Sequence, residues 1–269
     1  MSPPPPFPVK TGLDLRAIDH PLGFAVGPGL FAPKAEVRRL EDVRPSLRDP
    51  ACTGPDELYA IMMDVGHAED RDDLNARHLL FGVVTYAAGR LGDEPVRSQG
   101  HIHIPSPRNG WSTPEVYEVW RGRAVILMQQ RCVPDDPDPG RCFAVEAGPG
   151  EVIIVPPGWA HATVSADPAT PLTFGAWCDR AYGFDYAGVR AHYGLAFFPV
   201  VTDSLTLRWE RNPTYAPDTT LTLTGPRRYD EFGLEHGVPI YRQYQHHRDR
   251  FNFVPDPQRA ALLWEGFTP

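Results

Sequence analysis

Proline is unusually frequent in this sequence, and it limits the length of the helices that the chain can form. The chain has 269 residues, of which 31 are proline, roughly twice the usual share of about 5%. A proline inside a helix removes a backbone hydrogen bond and clashes with the preceding turn, so long helices are not expected to dominate. Hydrophobic residues still make up 42% of the sequence, which is enough for a packed core and argues against wholesale disorder.

Short runs rich in β-branched and aromatic residues follow one another between positions 79 and 177. Gly and Pro separate most of them, which is the pattern of strands joined by turns. The series indicates an all-β chain with few short helices, folded as an antiparallel sandwich or barrel with its prolines in loops and at strand ends. The predicted strands are LLFGVVTYAA (79–88), RAVILMQQ (123–130), RCFAV (141–145), EVIIV (151–155), HATV (161–164) and PLTFGAW (171–177).

The regions on either side of this series are less regular. Residues 1–30 are rich in Pro and Gly, and we expect an N-terminal arm that lies over the core or pairs at a sheet edge. Residues 55–65 are compatible with one short helix, and the charged residues 67–77 with a solvated loop or a helix cap. Within residues 201–269, LTLRWE and TTLTLTG have the composition of further strands. Because no linker precedes this segment, we expect a C-terminal extension packed on the barrel or on a partner subunit.

The charge balance and the cysteines restrict the partners and the compartment. Lys and Arg number 26 against 34 Asp and Glu, giving a net charge of −8, and scattered basic residues in an acidic chain argue against nucleic-acid binding. No apolar run has the length of a signal peptide or a membrane span, so we expect a cytoplasmic protein with no membrane partner. In that compartment Cys52, Cys132, Cys142 and Cys178, which lack a CxxC spacing, are expected to be free thiols.

Three histidines and one glutamate form the most informative pattern in the chain. His101 and His103 are two residues apart, so in a strand both imidazoles face the same side. Glu115 follows, and His161 comes shortly after a Pro-Pro-Gly turn. Each histidine alone is more often an ordinary core or surface residue, but chance rarely produces the whole combination in a β-rich chain. Three imidazoles and a carboxylate suit one divalent ion of Fe, Mn, Zn or Ni, with positions left open for water or substrate.

The spacing of these residues resembles the two sequence motifs of the cupin superfamily. The second motif, G-x5-P-x-G-x2-H-x3-N, matches over positions 150–161 and departs only at Ser165, where the motif has Asn. The first motif, G-x5-HxH-x3,4-E-x6-G, matches at the histidine pair, Glu115 and Gly122, although eleven residues (IPSPRNGWSTP) separate the pair from the glutamate. The resemblance implies a cupin β-barrel, a jelly roll also described as a double-stranded β-helix.

Longer segments carry a more specific resemblance. They are RRLEDV (38–43), VVTYAAGRLGDEPVRSQGHIH (83–103), PEVYEVWRGRAVILMQQ (114–130), PGEVIIVPPGWAHATVSADPATPLTF (149–174) and GFDY (183–186). These segments are similar to the cupin-type phosphoglucose isomerases, a family first known from archaea. The resemblance implies a cupin isomerase-like domain at residues 31–200, a homodimer, and one divalent transition metal per subunit. It also implies interconversion of glucose 6-phosphate and fructose 6-phosphate, in glycolysis and gluconeogenesis.

The same resemblance assigns roles to individual residues. The reaction would move a proton between C2 and C1 of the sugar phosphate through a cis-enediol, with Glu115 as general base and Tyr117 as a second catalytic residue. Ser98 and Gly100 would bind the phosphate together with Thr85. The implied metal ligands are His101, His103, Glu115 and His161, and the implied substrate-binding residues are Tyr59, Thr85, Ser98, Gly100, Tyr117, Phe174 and Tyr186.

Some positions depart from the family pattern and keep other functions open. Cys178 and Phe184 stand where the family has Tyr and His, which removes two polar contacts from the sugar pocket, and Ala162 and Ser165 alter the segment after the third histidine. One alternative is a cupin dioxygenase or related oxidoreductase, since such enzymes use the same ligand set. The other is a non-catalytic cupin that binds a sugar phosphate.

Overall fold

The computed structural model of the chain describes residues 5–202 and 206–269, and within them it is built mainly from short strands. Residues 1–4 of the predicted arm and Leu205 of the predicted LTLRWE strand lie outside the described residues. All six strands predicted between positions 79 and 177 are confirmed. The strands are β1 (Leu15–Asp19), β2 (Leu22–Val26), β3 (Leu30–Phe31), β4 (Glu36–Arg39), β5 (Glu57–Met63), β6 (Gly66–His67), β7 (Leu79–Tyr86), β8 (Arg90–Leu91), β9 (Glu94–Pro95), β10 (Ile102–His103), β11 (Glu115–Arg121), β12 (Ala124–Gln129), β13 (Cys142–Ala147), β14 (Val152–Val155), β15 (Ala160–Ser165), β16 (Leu172–Asp179), β17 (Phe184–Asp185), β18 (Phe197–Val201), β19 (Leu207–Arg211) and β20 (Leu221–Thr224).

The helices are short, as the proline content predicts. The longest α-helix of the described residues has 7 residues, and none in that part of the chain is both long and apolar enough to cross a membrane. The α-helices are α1 (Leu40–Val43), α2 (Arg71–Ala76), α3 (Ala187–Ala191), α4 (Ile240–His246) and α5 (Ala261–Trp264). Single 3-10 turns cover Arg44–Ser46, Ala68–Asp70, Asp230–Phe232 and Pro257–Ala260.

Two sheets form the barrel that holds the site. The larger sheet has the strand order β14-β11-β16-β7-β5-β4, and its strands pair antiparallel throughout. The smaller sheet has the order β15-β12-β13-β20, of which only the last pair is parallel. The other strands form short two-stranded ladders, including β10-β17. Strand neighbours that are distant in sequence produce the jelly-roll topology of a cupin barrel, which confirms the predicted fold class.

Alternation along the strands separates the interior of the barrel from its outer faces. On β11, Tyr117 and Val119 belong to the core between the two sheets, whereas Val116 and Trp120 face the opposite side. From the smaller sheet, Ile126 and Met128 on β12 enter the same interior core. The period of two is what a strand requires, and it directs the alternate residues of each strand either toward the interior or away from it.

Aromatic residues from the C-terminal part of the chain cover the outer face of the larger sheet. Trp177 on β16 is fully buried there, with its ring centroid 5.5 Å from that of Tyr241, 5.1 Å from Tyr244 and 5.4 Å from Phe251. The Trp177 indole N–H also donates to the carbonyl of Ile240 at 3.4 Å. Because both faces of the larger sheet are covered, its central strands are apolar along almost their whole length.

The smaller sheet is covered on its outer face by the segment that follows β17. Val125 and Ala162 on that face pack with Val189 of α3, with Leu195 and with Tyr215. The four cysteines are buried free thiols. The covering segments on the two outer faces leave the space between the sheets as the place where a small molecule can enter.

One predicted element was wrong. Residues 57–63 form the strand β5 and not a helix, because the segment pairs with β4 on one side and β7 on the other. Tyr59, Ile61 and Met63 alternate toward the cavity described below, while Leu58 and Met62 point away from it. Strand pairing on both sides outweighs the weak local preference that suggested a helix.

The charged segment 67–77 is only partly solvated. It forms a 3-10 turn and α2, and its Asp70 side chain is completely buried. Asp70 accepts a hydrogen bond from the Tyr241 hydroxyl at 3.0 Å and is paired with Arg248 at 2.6 Å. The nearer partner, Tyr241, is 171 residues away in sequence, so no local signal in the sequence marks this burial. The pair anchors the C-terminal segment to the 3-10 turn that precedes α2.

Candidate metal centre and active site

Four side chains singled out from the sequence converge inside the barrel. One ligand atom from each of His101, His103, Glu115 and His161 lies within 4.8 Å of the others. The Nε2 atoms of His101 and His103 are 3.2 Å apart. Oε2 of Glu115 lies 3.3 Å from Nε2 of His161 and 3.5 Å from Nε2 of His103. The structure therefore brings together the whole predicted ligand set, and His101, His103, Glu115 and His161 form what we call the metal cluster.

The backbone holds these side chains in register. The amide of each of His101 and His161 donates to the carbonyl of the other, at 3.0 and 2.9 Å, so the two residues lie directly opposite each other on adjacent strands. His103 follows two positions later and lies on the same side. Glu115 opens β11, whose neighbour β14 leads through the Pro-Pro-Gly turn into β15 and His161.

Backbone carbonyls fix the orientation of two imidazoles. Nδ1 of His103 lies 3.1 Å from the carbonyl oxygen of Thr113, and Nδ1 of His161 lies 3.2 Å from that of Trp159. Since a carbonyl oxygen only accepts, each Nδ1 carries the proton and donates it. Nε2 of both rings then carries a lone pair directed into the cluster, which is the tautomer that a metal ligand needs.

Burial sets the charge state of the cluster. Burial, reinforced by the neighbouring histidines, holds the pKa of His101 well below its ordinary value. Burial also lowers the pKa of His103 to about 4, against an opposing effect of Glu115. For Glu115, burial by itself raises the pKa, but the neighbouring His161, His103 and the Tyr117 hydroxyl outweigh it and lower the pKa overall. At neutral pH Glu115 is thus a carboxylate, and the imidazoles of His101 and His103 are neutral.

These donors fit a divalent transition metal. The lone pair on Nε2 of His161 faces the carboxylate oxygen of Glu115 across 3.3 Å, and two acceptors at that distance repel each other unless a proton or a cation lies between them. Two ligands bound at about 2.1 Å and at right angles are about 3 Å apart, close to the separations within the cluster. Three imidazole nitrogens and one carboxylate oxygen are also the donor types that such ions prefer.

The cluster lies in a cavity of about 540 Å³, a size typical of sites for small molecules. One part of its wall is polar and carries the metal cluster together with several hydroxyl groups. The remainder is apolar. The hydroxyl-bearing lining residues are Tyr59, Tyr86, Ser98, Tyr117, Thr163, Tyr182 and Tyr186, and the apolar wall is formed by Ile61, Met63, Val84, Phe174, Cys178 and Phe184.

The hydroxyl of Tyr117 is tied to the cluster. It donates to Oε2 of Glu115 at 2.6 Å. Burial, together with the negative charge of Glu115, raises the pKa of Tyr117 well above its ordinary value, so the phenol keeps its proton. Thr163, two positions beyond His161 on β15, hydrogen-bonds the same hydroxyl. Tyr117 therefore holds the Glu115 carboxylate in a fixed orientation at the cavity wall.

Six of the seven predicted substrate-binding residues line the cavity, and one does not. Thr85 on β7 faces away from it, because its neighbours Val84 and Tyr86 take the two cavity-facing positions of the strand. The Thr85 hydroxyl is fully buried and lies 2.9 Å from that of Thr173 on the adjacent strand. The structure therefore places the Thr85 hydroxyl, predicted to bind phosphate, on the face of β7 that is turned away from the cavity. The six lining residues are Tyr59, Ser98, Gly100, Tyr117, Phe174 and Tyr186.

Several residues that line the cavity were not predicted from the sequence. Arg38 and Arg190 are the two cations of the lining, and Tyr86, Thr163 and Tyr182 add hydroxyl groups. Strand alternation gives a signal for Thr163, which follows His161 by two positions. For Arg38 the signal is hidden, because the pairing of β4 with β5 depends on a strand whose local sequence suggests a helix. Nothing in the local sequence of Arg190 marks it as a cavity residue.

Two of the four departures from the family pattern are in the cavity. Phe184 packs against the metal cluster, with its ring centroid 4.4 Å from that of His101 and 5.8 Å from that of His103. Cys178 is also part of the lining, whereas Ala162 and Ser165 are not. Burial raises the pKa of the Cys178 thiol well above its ordinary value, so that side chain is neutral. Both cavity departures therefore make the wall beside the metal cluster less polar.

Solved structures of low similarity include an oxalate oxidase and an oxalate decarboxylase of Bacillus subtilis. The first is 12% identical with a TM-score of 0.33 and covers 47% of this chain and 53% of its own. The second is 15% identical with a TM-score of 0.32 and covers 48% of this chain and 27% of its own. Similarity at this level carries no argument about this chain.

Sequence comparison is more informative. The glucose-6-phosphate isomerase of Thermococcus kodakarensis is 29% identical over 181 residues, which is 64% of this chain and 82% of that protein. The glucose-6-phosphate isomerase of Thermococcus litoralis is 28% identical over 162 residues, which is 58% of this chain and 75% of that protein. A protein-family model described as Glucose-6-phosphate isomerase (GPI) matches residues 37–218. That range contains the four candidate metal ligands and every residue that lines the cavity, and the chain belongs to the glucose-6-phosphate isomerase family of cupin isomerases.

Proposed function

We propose that this protein is a metal-dependent isomerase that interconverts glucose 6-phosphate and fructose 6-phosphate through a cis-enediol. The observation that supports this most strongly is the contact between the Tyr117 hydroxyl and Oε2 of Glu115 at 2.6 Å, within a cluster of metal-binding donors in the barrel cavity. Membership of the family supports the isomerase class. The mechanism and the metal requirement are the parts that we propose.

Glu115 is the base that moves the carbon-bound proton. Its lowered pKa keeps the carboxylate ionised at neutral pH and ready to accept a proton. In the aldose-to-ketose direction it removes the proton from C2, O1 is protonated as the C1–C2 double bond forms, and the carbon-bound proton returns to C1 while O2 gives up its proton. Atoms and charges balance, since isomerisation only relocates protons. Tyr117 holds the carboxylate in position during both transfers.

The remaining cavity residues bind the sugar phosphate. His101, His103, Glu115 and His161 would hold a divalent metal, and such an ion, when bound, stabilises negative charge on the substrate oxygens. Ser98 and Gly100 bind the phosphate, and Tyr59, Phe174 and Tyr186 contact the sugar. Gly100 has a φ of +91°, a backbone conformation that residues with a side chain rarely adopt, so the local backbone requires glycine there.

The test is an isomerase assay on protein loaded with Mn(II) or Fe(II), with metal content measured on the same sample. We expect conversion of fructose 6-phosphate into glucose 6-phosphate and its loss in Glu115→Gln. Glu118→Gln is the matched control, because Glu118 lies on the same strand but faces away from the cavity toward Trp120. A fully metal-loaded protein that converts no hexose phosphate would contradict the proposal.

The apolar wall favours one second candidate function. A cupin oxygenase acting on a substrate with fewer hydroxyl groups uses the same donors and would place the apolar part of its substrate against Met63, Cys178 and Phe184. Oxygen consumption in the presence of substrate separates this from isomerisation, which consumes none. We also propose a homodimer, since β4 leaves an open edge on the larger sheet. Light scattering should give twice the 30.0 kDa mass of one chain, and the mass of a single chain would contradict a dimer.

A further inference from the structure

The cavity lining contains two arginines to which neither the metal cluster nor the proton transfer gives a role. Arg38 lies on β4 and Arg190 on α3, elements that are far apart in sequence and both contribute to the cavity lining. Tyr186 lies between them in the lining. Two guanidinium groups at the mouth of a cavity in an acidic protein indicate a ligand with negative charge.

Arg38 is placed on the cavity side by its strand. It is the direct ladder partner of Tyr59 on β5, and directly paired residues lie on the same face of a sheet. Its only carboxylate contact among the described residues is with Glu36 at 3.1 Å, and the Glu36 side chain is 72% exposed. An exposed pair of this kind contributes little free energy, so Arg38 can exchange Glu36 for an anionic ligand.

Arg190 is available to a ligand in a different way. It forms no ion pair with any residue that the structure describes; its Nε donates to the neutral side chain of Gln99 at 3.3 Å. Gln99 stands between Ser98 and Gly100 in sequence, so this contact ties Arg190 to the predicted phosphate segment. The guanidinium carbon of Arg190 also lies 5.0 Å from the ring centroid of Tyr186.

The two cations act on the same hydroxyl. Burial raises the pKa of Tyr186; the positive charges of Arg38 and Arg190 oppose that effect, and the negative charge of Asp42 adds to it. Two acidic residues also line the mouth but are engaged elsewhere: Glu41 pairs with Arg44 at 2.8 Å, and Asp42 accepts the backbone N–H of Arg39 at 2.7 Å.

The mouth is close to the metal cluster. The ring centroids of Tyr186 and His101 are 6.1 Å apart, and Arg190 contacts the Tyr186 ring, so both lie within the length of one phosphorylated sugar from the cluster. Arg38 lines the same cavity. We propose that Arg38 and Arg190 form, around Tyr186, the subsite that binds the phosphate group of the substrate, an inference that rests on the proposed isomerase function. The subsite complements Ser98 and Gly100, which approach the same region from the barrel wall.

The experiment measures binding and turnover in parallel on metal-loaded protein. Calorimetric titration with fructose 6-phosphate, with inorganic phosphate and with unphosphorylated fructose is compared for the wild type, Arg38→Gln, Arg190→Gln and the double variant. Each single change should weaken fructose 6-phosphate binding and raise its KM about tenfold, with kcat changed much less, because each removes one charge-assisted contact. Arg190→Lys should recover part of the affinity, since it restores the charge without the planar fork.

Arg123→Gln is the matched control, because Arg123 pairs with Glu146 at 2.9 Å outside the cavity. It should bind and turn over fructose 6-phosphate like the wild type. Binding that depends on the two arginines in a protein without turnover supports the subsite and refutes the isomerase. If the double variant turns over fructose 6-phosphate with unchanged KM and unchanged phosphate affinity, the arginine subsite is contradicted. The proposed isomerase function is unaffected by that result. A folded wild type that binds neither phosphate compound overturns the subsite as well.

Discussion

Glu118 should make the stability of this protein depend on pH in a way that one substitution removes. The Glu118 carboxyl is buried beneath the C-terminal segment, where it accepts the indole N–H of Trp120 at 2.8 Å and the backbone N–H of Ile240. Burial raises its pKa from 4.5 to about 8, more than these two hydrogen bonds lower it. The folded protein therefore binds a proton at this residue more tightly than the unfolded chain does.

The sign and the size of the effect follow from that shift. Because the pKa of Glu118 is raised in the folded state, its contribution to the free energy of unfolding is complete below pH 4.5. That contribution is lost as the pH rises from 4.5 through about 8. The free energy of unfolding should fall by about 1.4 kcal/mol per pH unit over this window. Summed over the window, the loss is on the order of 5 kcal/mol.

The assay is urea denaturation at pH 5, 7 and 9 with the metal content held constant. Glu118→Gln keeps an acceptor for Trp120 but cannot ionise, so it should match the wild type at pH 5 and exceed its stability at pH 9. Glu265→Gln is the control, since Glu265 is exposed near the C-terminus. Parallel pH profiles for the wild type and Glu118→Gln would refute the reasoning.

Two further predictions concern the site and its support. Removing the metal with a chelator should lower the melting temperature measured by scanning fluorimetry, and returning Mn(II) should restore it. At a free metal concentration of 100 times Kd, the bound ion adds about 2.7 kcal/mol to the free energy of unfolding. An unchanged melting temperature would contradict metal binding at the cluster. Arg97→Met should cost about 3–5 kcal/mol in urea denaturation, because Glu94 is fully buried and is paired with Arg97 at 2.6 Å. The double variant Glu94→Leu/Arg97→Met should recover much of that loss, whereas equal losses in the single and double variants would contradict a charge left unpaired.

Most of the barrel could be predicted from the sequence because its strands are marked locally. The runs that became β7, β12 and β16 are bounded by Gly and Pro and are rich in β-branched and aromatic residues, as strands require. β5 could not be recognised in this way, since its conformation depends on pairing with both neighbours. The burial of Asp70 is likewise decided by Tyr241 and Arg248, which the chain brings near only after folding.

The residues of the candidate site likewise include some that local sequence predicts and some that depend on the folded structure. The metal cluster was predictable because the His-x-His spacing puts two imidazoles on one face and a short turn delivers His161. The orientation of Thr85 was not, because it depends on which face of β7 meets the cavity. Arg38 and Arg190 enter the cavity through strand register and through the position of α3, neither of which has a local signature.

The central claim is that Glu115, within a metal-bound cluster, transfers the proton between C2 and C1. The most direct measurement uses glucose 6-phosphate carrying deuterium at C2, with metal-loaded wild type and Glu115→Gln, and follows product and released label by NMR. We expect wild-type turnover with part of the deuterium released to water, and a rate lower by about 10²–10⁴-fold in Glu115→Gln at equal metal content. Wild-type turnover with all deuterium retained at C1, or an unchanged rate in Glu115→Gln, would contradict the mechanism.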